Sequence, residues 1–366
     1  MIKTLRHSVL LVGFTGLMAT AHAAEPPVVH FYNWSDYIAA DTLPNFTQQT
    51  GIKVTYDVFD TDEVLEAKLL AGKTGFDIVV PGSDFLGRQI KAGVFTKLDK
   101  SQIPNYSKLD PQIMALLAEN DPGNQYGIPY MWGTTGIGYN VAKAKEILGD
   151  REIDSWEIIF NPQILSEFGK CGVAFLNSPT EIYAIALNYL GKNPHSLNSR
   201  DYTGEANELL LKIRPHITYF HSSKFISDLA NGNICLAVGW SGDMFQARDR
   251  AEEAGNGIEI DYAIPAEGSV LWFDIMAIPK DARHPRNAHA LVNYLLDPKV
   301  MANNSNEVSY ANAVPESKEY MDEEIFSNAG IYPPQETMQK MFVVKALPQS
   351  LTRTLTRNWV KLTSGK

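Results

Sequence analysis

Residues 28–82 read VVHFYNWSDYIAADTLPNFTQQTGIKVTYDVFDTDEVLEAKLLAGKTGFDIVVPG, and the order of elements in this stretch decides the fold class. Runs of β-branched and aromatic residues predict three short strands, at 28–32, 53–58 and 77–80. Between them, capping residues and glycine stops predict helices over about 41–49 and 62–71. Strand–helix–strand–helix–strand at this spacing is typical of βαβ units in a mostly parallel sheet.

The same alternation returns in the second half of the chain. The elements predicted there are strands at 171–176, 234–238 and 270–278 and helices at 180–190, 242–253 and 348–361. Between the halves, the Gly/Thr-rich segment 126–140 is predicted to be a strand that crosses from one lobe to the other. Its glycine spacing matches neither G-x-G-x-x-G nor a Walker A loop. The sequence therefore predicts two α/β lobes.

Composition narrows the class of protein. At ~150 residues per domain, 366 residues suggest two domains. Apolar residues make up 45% and charged residues 20%, so the chain can bury sizeable cores and is not disordered. The formal net charge is −10, from 42 acidic and 32 basic side chains. Because a nucleic-acid binder needs a basic stripe and the sequence has no Lys/Arg run, we expect no nucleic-acid partner.

Residues 1–23 have the pattern of a secretory signal peptide. Lys3 and Arg6 form a positive segment, residues 9–18 are apolar, and Ala21 to Ala23 supply the small residues of a cleavage site. The apolar run is too short to span a ~30 Å bilayer. The alternative to a signal peptide is an N-terminal helix that packs in the core. No later run is long enough to span a membrane, so we expect a soluble, exported chain.

Export bears on the two cysteines. An oxidising compartment favours a disulfide between Cys171 and Cys235, and two buried free thiols are the alternative. The eight histidines are scattered, and neither His284/His289 nor His216/His221 has the i,i+4 spacing of metal ligands. We therefore expect no metal site and no cofactor.

Acidic and aromatic residues recur after the predicted strands. In parallel α/β sheets, ligands bind beyond the carboxyl ends of the strands. The residues found there, or within the strand 270–278, are Trp34, Ser35, Asp36, Tyr37, Asp84, Phe85, Glu181, Trp240, Asp243, Trp272 and Asp274. Taken alone, Asp36, Asp84 and Asp243 are explained by helix capping, and Asp274 by a structural acid that bonds backbone amides. Each aromatic alone is explained by core packing. Their recurrence predicts a shared cleft.

Such a cleft favours a cationic ligand. Carboxylates that face one another raise each other's pKa, and a cation relieves the repulsion. Aromatic faces attract ammonium groups and also pack on methylene chains. An elongated ligand with amines at both ends satisfies both sets of residues. A metal ion is the rival occupant, but it would not require several large aromatic side chains.

Four motifs support a resemblance to a known family: YNWSDY at 32–37, VLEAKLLAG at 64–72, GWSGD at 239–243 and GIYPP at 330–334. The chain resembles the periplasmic polyamine-binding proteins of bacterial ABC transporters, from about residue 28 to the C-terminus. This resemblance implies a two-lobed periplasmic binding protein fold, type II-like, with the ligand cleft between the lobes. We expect 24–132 plus about 254–308 in lobe 1, and 133–253 plus about 309–366 in lobe 2.

The resemblance also implies roles for individual residues. The family's amine-binding acids correspond to Asp36, Glu181, Asp243 and Asp274. Its aromatic box corresponds to Trp34, Tyr37, Trp240, Trp272 and Tyr310, with Ser35 as a further contact. The family's disulfide corresponds to Cys171 and Cys235. The implied partners are a polyamine and a membrane permease, and we expect a periplasmic monomer without catalytic activity.

Two departures from the family pattern concern ligand choice. Putrescine binders commonly carry serine where this chain has Gly82, and Asp84 adds an acid nearby. Putrescine binders usually have Phe at the position of Trp272, whereas spermidine binders usually have Trp. The larger indole favours spermidine over putrescine. The alternatives are a polyamine sensor with the same cleft and an exported hydrolase, although the sequence contains no G-x-S-x-G nucleophile elbow.

Overall fold

A computed structural model describes residues 25–365, so the predicted signal peptide lies outside the described residues. Ten strands occur in the described part: β1 (Val28–Trp34), β2 (Lys53–Phe59), β3 (Ile78–Val79), β4 (Gly127–Asn140), β5 (Val173–Phe175), β6 (Tyr219–Phe220), β7 (Leu236–Trp240), β8 (Ile260–Ala263), β9 (Leu271–Ala277) and β10 (Ala311–Asn312).

Seventeen α-helices cover these strands within the same described range. They are α1 (Thr42–Thr50), α2 (Asp62–Ala71), α3 (Ser83–Lys91), α4 (Pro111–Leu117), α5 (Val141–Leu148), α6 (Glu157–Phe160), α7 (Pro162–Gly169), α8 (Pro179–Tyr189), α9 (Ser199–Thr203), α10 (Glu205–Ile213), α11 (Lys224–Ala230), α12 (Ser241–Ala254), α13 (Pro285–Leu295), α14 (Pro298–Val308), α15 (Glu323–Phe326), α16 (Gln335–Met338) and α17 (Gln349–Ser364). Across 25–365, no helix combines the length and apolar character that crossing a membrane requires.

Strand β4 belongs to both halves of the sheet. The strand order is β2-β1-β3-β9-β4-β7-β5-β6, with β8 and β10 also paired to β4. The first part of β4 pairs with β9 and β10, and its second part pairs with β7 and β8. Strands β1, β2 and β3 run parallel to one another, as do β5, β6 and β7. The α/β fold class is confirmed, and the predicted crossing segment 126–140 corresponds to β4.

Close packing explains the glycines of β4. A Cβ atom at Gly138 would lie 2.1 Å from the Met244 sulfur, and one at Gly136 would lie 2.5 Å from the Tyr262 hydroxyl. Neither position has room for a side chain, because α12 and β8 lie directly against the strand. The glycines at these two positions therefore allow α12 and β8 to pack directly on the second part of β4.

Two apolar cores hold the helices against the sheet. Along β1, Val29 and Phe31 are fully buried in one core with Leu291 and Leu295 of α13. The residue after Phe31, Tyr32, belongs to the second core, which extends through the strands β5 and β7. The alternation follows from the two-residue period of a strand, which sends neighbouring side chains to opposite faces.

The strand pairings bear on the expected lobe boundaries. Strand β8 pairs with the second part of β4, although 254–308 was expected in lobe 1. Strand β10 pairs with the first part of β4, although 309–366 was expected in lobe 2. The division into lobes stays a proposal, and we place β8 in lobe 2 and β10 in lobe 1.

The predicted disulfide is present. Cys171 and Cys235 are bonded, with their Cα atoms 5.6 Å apart. They precede β5 and β7, which are parallel neighbours with Val173 opposite Leu236. The alternative of two free thiols is therefore excluded for this structure.

Candidate functional site

A cleft of about 800 Å³, including its open mouth, lies at the strand ends of both halves of the sheet. The predicted site residues that line this cleft are Trp34, Ser35, Tyr37, Asp84, Phe85, Glu181, Trp240, Asp243, Trp272, Asp274 and Tyr310. Trp34 ends β1, Trp240 ends β7, and Asp84 and Glu181 lie in the first turns of α3 and α8. The cleft thus brings together every predicted site residue except Asp36. The strand-end argument predicted all of the residues in it but Tyr310, which the family resemblance supplied.

Asp243 lies in the first turn of α12 and is paired with a tyrosine. The Tyr310 hydroxyl donates to Asp243 Oδ1 at 2.6 Å and accepts the Asp243 backbone N–H at 3.1 Å. The Tyr310 ring covers Gly242, where a Cβ atom would lie 2.5 Å from the ring. Burial, which outweighs the Tyr310 hydrogen bond, raises the pKa of Asp243 to about 7.

Asp274 has a similar arrangement on β9. The Tyr37 hydroxyl donates to Asp274 Oδ2 at 2.7 Å, and Trp272 lies two residues earlier on the same strand. Burial, followed by the negative charges of Glu181 and other cleft acids, raises the pKa of Asp274 to about 8. The tyrosine supplies a hydrogen bond but no charge, so among residues 25–365 the carboxylate has no Lys or Arg nitrogen within 4.0 Å to neutralise it.

Glu181 is a third acid of the cleft and is half-buried. Its Oε2 accepts from the Thr135 hydroxyl at 2.5 Å and from the Trp240 indole N–H at 3.2 Å. Burial raises the pKa of Glu181, although these hydrogen bonds oppose the rise. Thr135 belongs to the crossing strand β4, so that strand also positions this acid.

The aromatic walls form a continuous band. The Trp240 ring makes edge contacts with Trp34 and Trp272, with centroids 5.6 and 6.2 Å apart. Tyr310 makes edge contacts with both Trp272 and Tyr37, with centroids 5.2 Å apart in each case. Each ring is held by its neighbours, so the band is a preformed apolar surface between the acids.

Several cleft residues were missed by the sequence argument, and Asp62 is the most consequential. Asp60, Asp62, Ser178, Thr180, Ser222 and Ser223 also line the cleft. An acid in the first turn of a helix is ordinary, so the sequence offered no reason to single out Asp62. Burial, followed by the charge of Asp84, raises the pKa of Asp62 well above its usual range.

Asp36 was expected to bind the ligand, but it does not line the cleft. Its backbone has a left-handed φ of 52°, and its carboxylate pairs with Arg250 of α12 at 3.0 Å. Both side chains are more than a third exposed. In this structure Asp36 thus pairs with α12 and does not line the cavity, although its charge acts on Asp243; its role in binding stays a prediction.

One compact group of possible metal ligands lies outside the cleft. Ligand atoms of His30, Asp77 and His284 all lie within 4.8 Å of one another. Asp77 already accepts four hydrogen bonds, from the backbone N–H groups of His30, Arg283 and His284 and from His284 Nδ1. Its oxygens are saturated, so we assign the group to joining β1, β3 and α13.

Lowering the pH should stabilise the ligand-free protein. The pKa values of Asp243 and Asp274, about 7 and 8, exceed the value near 4 of an unfolded chain. The contribution of these raised pKa values to the free energy of unfolding is fully present below about pH 4. It is lost as the pH rises through the folded-state pKa values. We expect the melting temperature of dialysed protein to fall between pH 6 and pH 8, and Asp274→Asn to flatten the fall. The same pH slope in that variant would contradict this origin.

Comparisons with known proteins agree with this geometry. Residues 42–333 match the family model of the bacterial extracellular solute-binding proteins. The chain is 52% identical to the putrescine-binding periplasmic protein PotF of Escherichia coli, over 94% of this chain and 93% of that protein. It is 51% identical to the putrescine-binding periplasmic protein SpuD of Pseudomonas aeruginosa, over the whole of both chains.

A solved structure gives the same result. The substrate-binding protein PotD of a spermidine/putrescine ABC transporter from Streptococcus pneumoniae superposes with a TM-score of 0.74 at 28% identity. The match covers 92% of this chain and 98% of that chain. All three relatives are named as binding proteins and none as an enzyme, so the hydrolase alternative is set aside.

Proposed function

The chain belongs to the periplasmic polyamine-binding proteins of bacterial ABC transporters, and on this premise we propose that its cleft captures a linear polyamine for delivery to a membrane permease. The observation that carries the proposal is the pair Asp243 and Asp274, 8% and 7% exposed beside an aromatic band. Within residues 25–365, neither carboxylate has a Lys or Arg nitrogen within 4.0 Å. A cationic ligand supplies the missing charge.

The arrangement suits a chain-like amine better than a compact cation. The acids are separated by indole and phenol rings, on which methylene groups pack and against which ammonium groups are attracted. Asp243 comes from α12 and Asp274 from β9, so the ligand contacts elements of both lobes. Contacts made only when both lobes meet the ligand favour the closed form, which is the form that a receptor presents to its permease.

Calorimetric titration tests the proposed function. The mature protein is unfolded, dialysed to remove any carried polyamine, refolded, and titrated with putrescine and with spermidine. Binding of either amine at micromolar or lower concentration supports the proposal. A folded protein that releases no heat with either amine, and whose melting temperature neither amine changes, overturns it.

The preferred polyamine is the finer part of the proposal. The two relatives above 50% identity are named for putrescine, which favours the diamine. Trp272 favours a longer ligand, because its indole contacts both Trp240 and Tyr310 and extends the aromatic band. We propose that the cleft accepts both amines and binds spermidine the more tightly.

Trp272→Phe should weaken spermidine binding about fivefold, since roughly 1 kcal/mol of cation–π attraction and ring contact is lost. Putrescine is shorter and requires less of the indole, so its affinity should change less than twofold. The two affinities are measured by calorimetry on the same preparation. An equal loss for both ligands would contradict a role for Trp272 in selecting the longer amine.

A further inference from the structure

A second pair of acids lies in the cleft beside Gly82. The Gly82 backbone N–H donates to Asp62 Oδ1 at 3.0 Å. A Cβ atom at Gly82 would lie 2.8 Å from Asp62 Oδ2 and 3.3 Å from Asp84 Oδ1. The absent side chain is therefore what allows the two carboxylates to approach each other. Both residues line the same cavity as Glu181 and the aromatic band.

The protein supplies little positive charge to this pair. In the described chain, 25–365, no Lys or Arg nitrogen lies within 4.0 Å of either carboxylate. Arg88, one turn after Asp84 on α3, is held by both oxygens of Glu66 at 2.5 and 2.8 Å. It also lies over the Phe85 ring, 3.7 Å from the centroid. Two like charges in an enclosed cavity are unfavourable unless a cation binds between them or a proton is retained.

The pair adjoins the acids already assigned to the ligand. Gly82 forms an isolated β-bridge with Asp274, which places the pair next to that carboxylate. Burial raises the pKa of Asp84 to about 7; the charge of Arg88 opposes this rise, and the charge of Glu181 adds to it. The cleft thus holds Asp243 and Asp274 together with Glu181, Asp62 and Asp84. Asp60 also lines the cleft, so a diamine brings two positive charges to six carboxyl groups, whereas a triamine brings three.

We propose that Asp62 and Asp84 are specificity-determining residues that hold one more ammonium group than a diamine offers, so that the cleft is built for a triamine such as spermidine. This inference rests on the proposed function and names the ligand class within it. The charge-assisted hydrogen bonds of this ammonium group form at the surface that Gly82 leaves open. The aromatic walls favour an amine over a hydrated metal ion at the same position.

Isosteric variants test the inference. Asp62→Asn and Asp84→Asn remove one charge each and keep the side-chain shape, and Glu208→Gln removes a charge from the exposed surface of α10 outside the cleft. All are dialysed free of ligand and titrated with spermidine, putrescine and Ca²⁺. We expect each Asn variant to weaken spermidine binding about tenfold and putrescine binding less than threefold. Glu208→Gln should change both affinities slightly and equally.

The outcomes separate this inference from the proposed function. Equal weakening of both amines in the Asn variants, or no weakening of spermidine, overturns the role of Asp62 and Asp84 while polyamine binding stands. Tight Ca²⁺ binding that the Asn variants lose also overturns it, because the pair would then be a metal site. If the unmodified protein binds neither amine, the proposed function itself fails. Melting temperatures at or above that of the unmodified protein show that the variants fold.

Discussion

Replacing Asp243 by alanine should weaken polyamine binding roughly a hundredfold or more. The carboxylate is 8% exposed, and its hydrogen bonds are to Tyr310. Truncating one partner of a buried, hydrogen-bonded charge pair costs about 2–5 kcal/mol, and each 1.4 kcal/mol is a factor of ten in affinity. Much of this cost is the ammonium group that stays buried without its counter-charge. Calorimetric titration with putrescine and spermidine measures the loss.

Two further variants make this prediction specific. Asp243→Asn keeps an oxygen that accepts the Tyr310 hydrogen bond, so it removes the charge without opening a cavity. We expect it to lose most of the affinity as well. Asp249→Ala removes an exposed acid from the same helix α12, where its partner is Arg248, and should bind normally. Retention of full affinity by Asp243→Asn would show that Asp243 acts through shape and not through charge.

Removing the disulfide should lower the free energy of unfolding by about 4 kcal/mol. The bond joins residues 64 apart, and the entropy of closing a loop of this length in the unfolded chain gives a value of this size. Cys171→Ser combined with Cys235→Ser should therefore shift the denaturant midpoint downward and steepen the slope, because the unfolded chain without the bond is less compact and exposes more surface. The measurement is equilibrium unfolding in guanidinium chloride.

Ligand binding should survive the same double substitution. The cysteines precede β5 and β7, whereas the cleft lies at the opposite ends of these strands, at Trp240 and beyond Phe175. We expect polyamine affinities within about twofold of the unmodified protein. Reductant should reproduce the destabilisation in the unmodified protein and leave the double variant unaffected. A large loss of affinity would show that the bond shapes the cleft.

The fold was predictable where local pattern alone decides it. The strands and helices of 28–82 lie close to their predicted positions because alternating apolar residues and glycine stops act within a few residues. The lobe boundaries were harder to predict from the sequence. Strands β8 and β10 are four and two residues long, and each pairs with a part of β4 more than 100 residues away in the chain. Periodicity identifies a strand but does not identify its partner.

The residues of the cleft were also predictable in part. The rule that ligands bind beyond strand ends located Trp34, Glu181 and Asp243, whose positions follow directly from their strands. The predicted role of Asp36 stays a prediction, because in this structure its left-handed turn pairs it with Arg250 and it does not line the cavity. The rule missed Asp62, whose burial depends on Gly82 and Asp84 twenty residues later and not on its own helix. Tyr310 was found only through family resemblance.

The aromatic band has an optical consequence. The chain contains six tryptophans, of which Trp34, Trp240 and Trp272 line the cleft. The other three, Trp132, Trp156 and Trp359, are at most 8% exposed and lie outside it. Half of the indole fluorophores therefore sit where an amine would displace water, and half sit in a constant environment. The protein carries its own fluorescent reporter with a built-in internal reference, and occupancy can be followed without a dye.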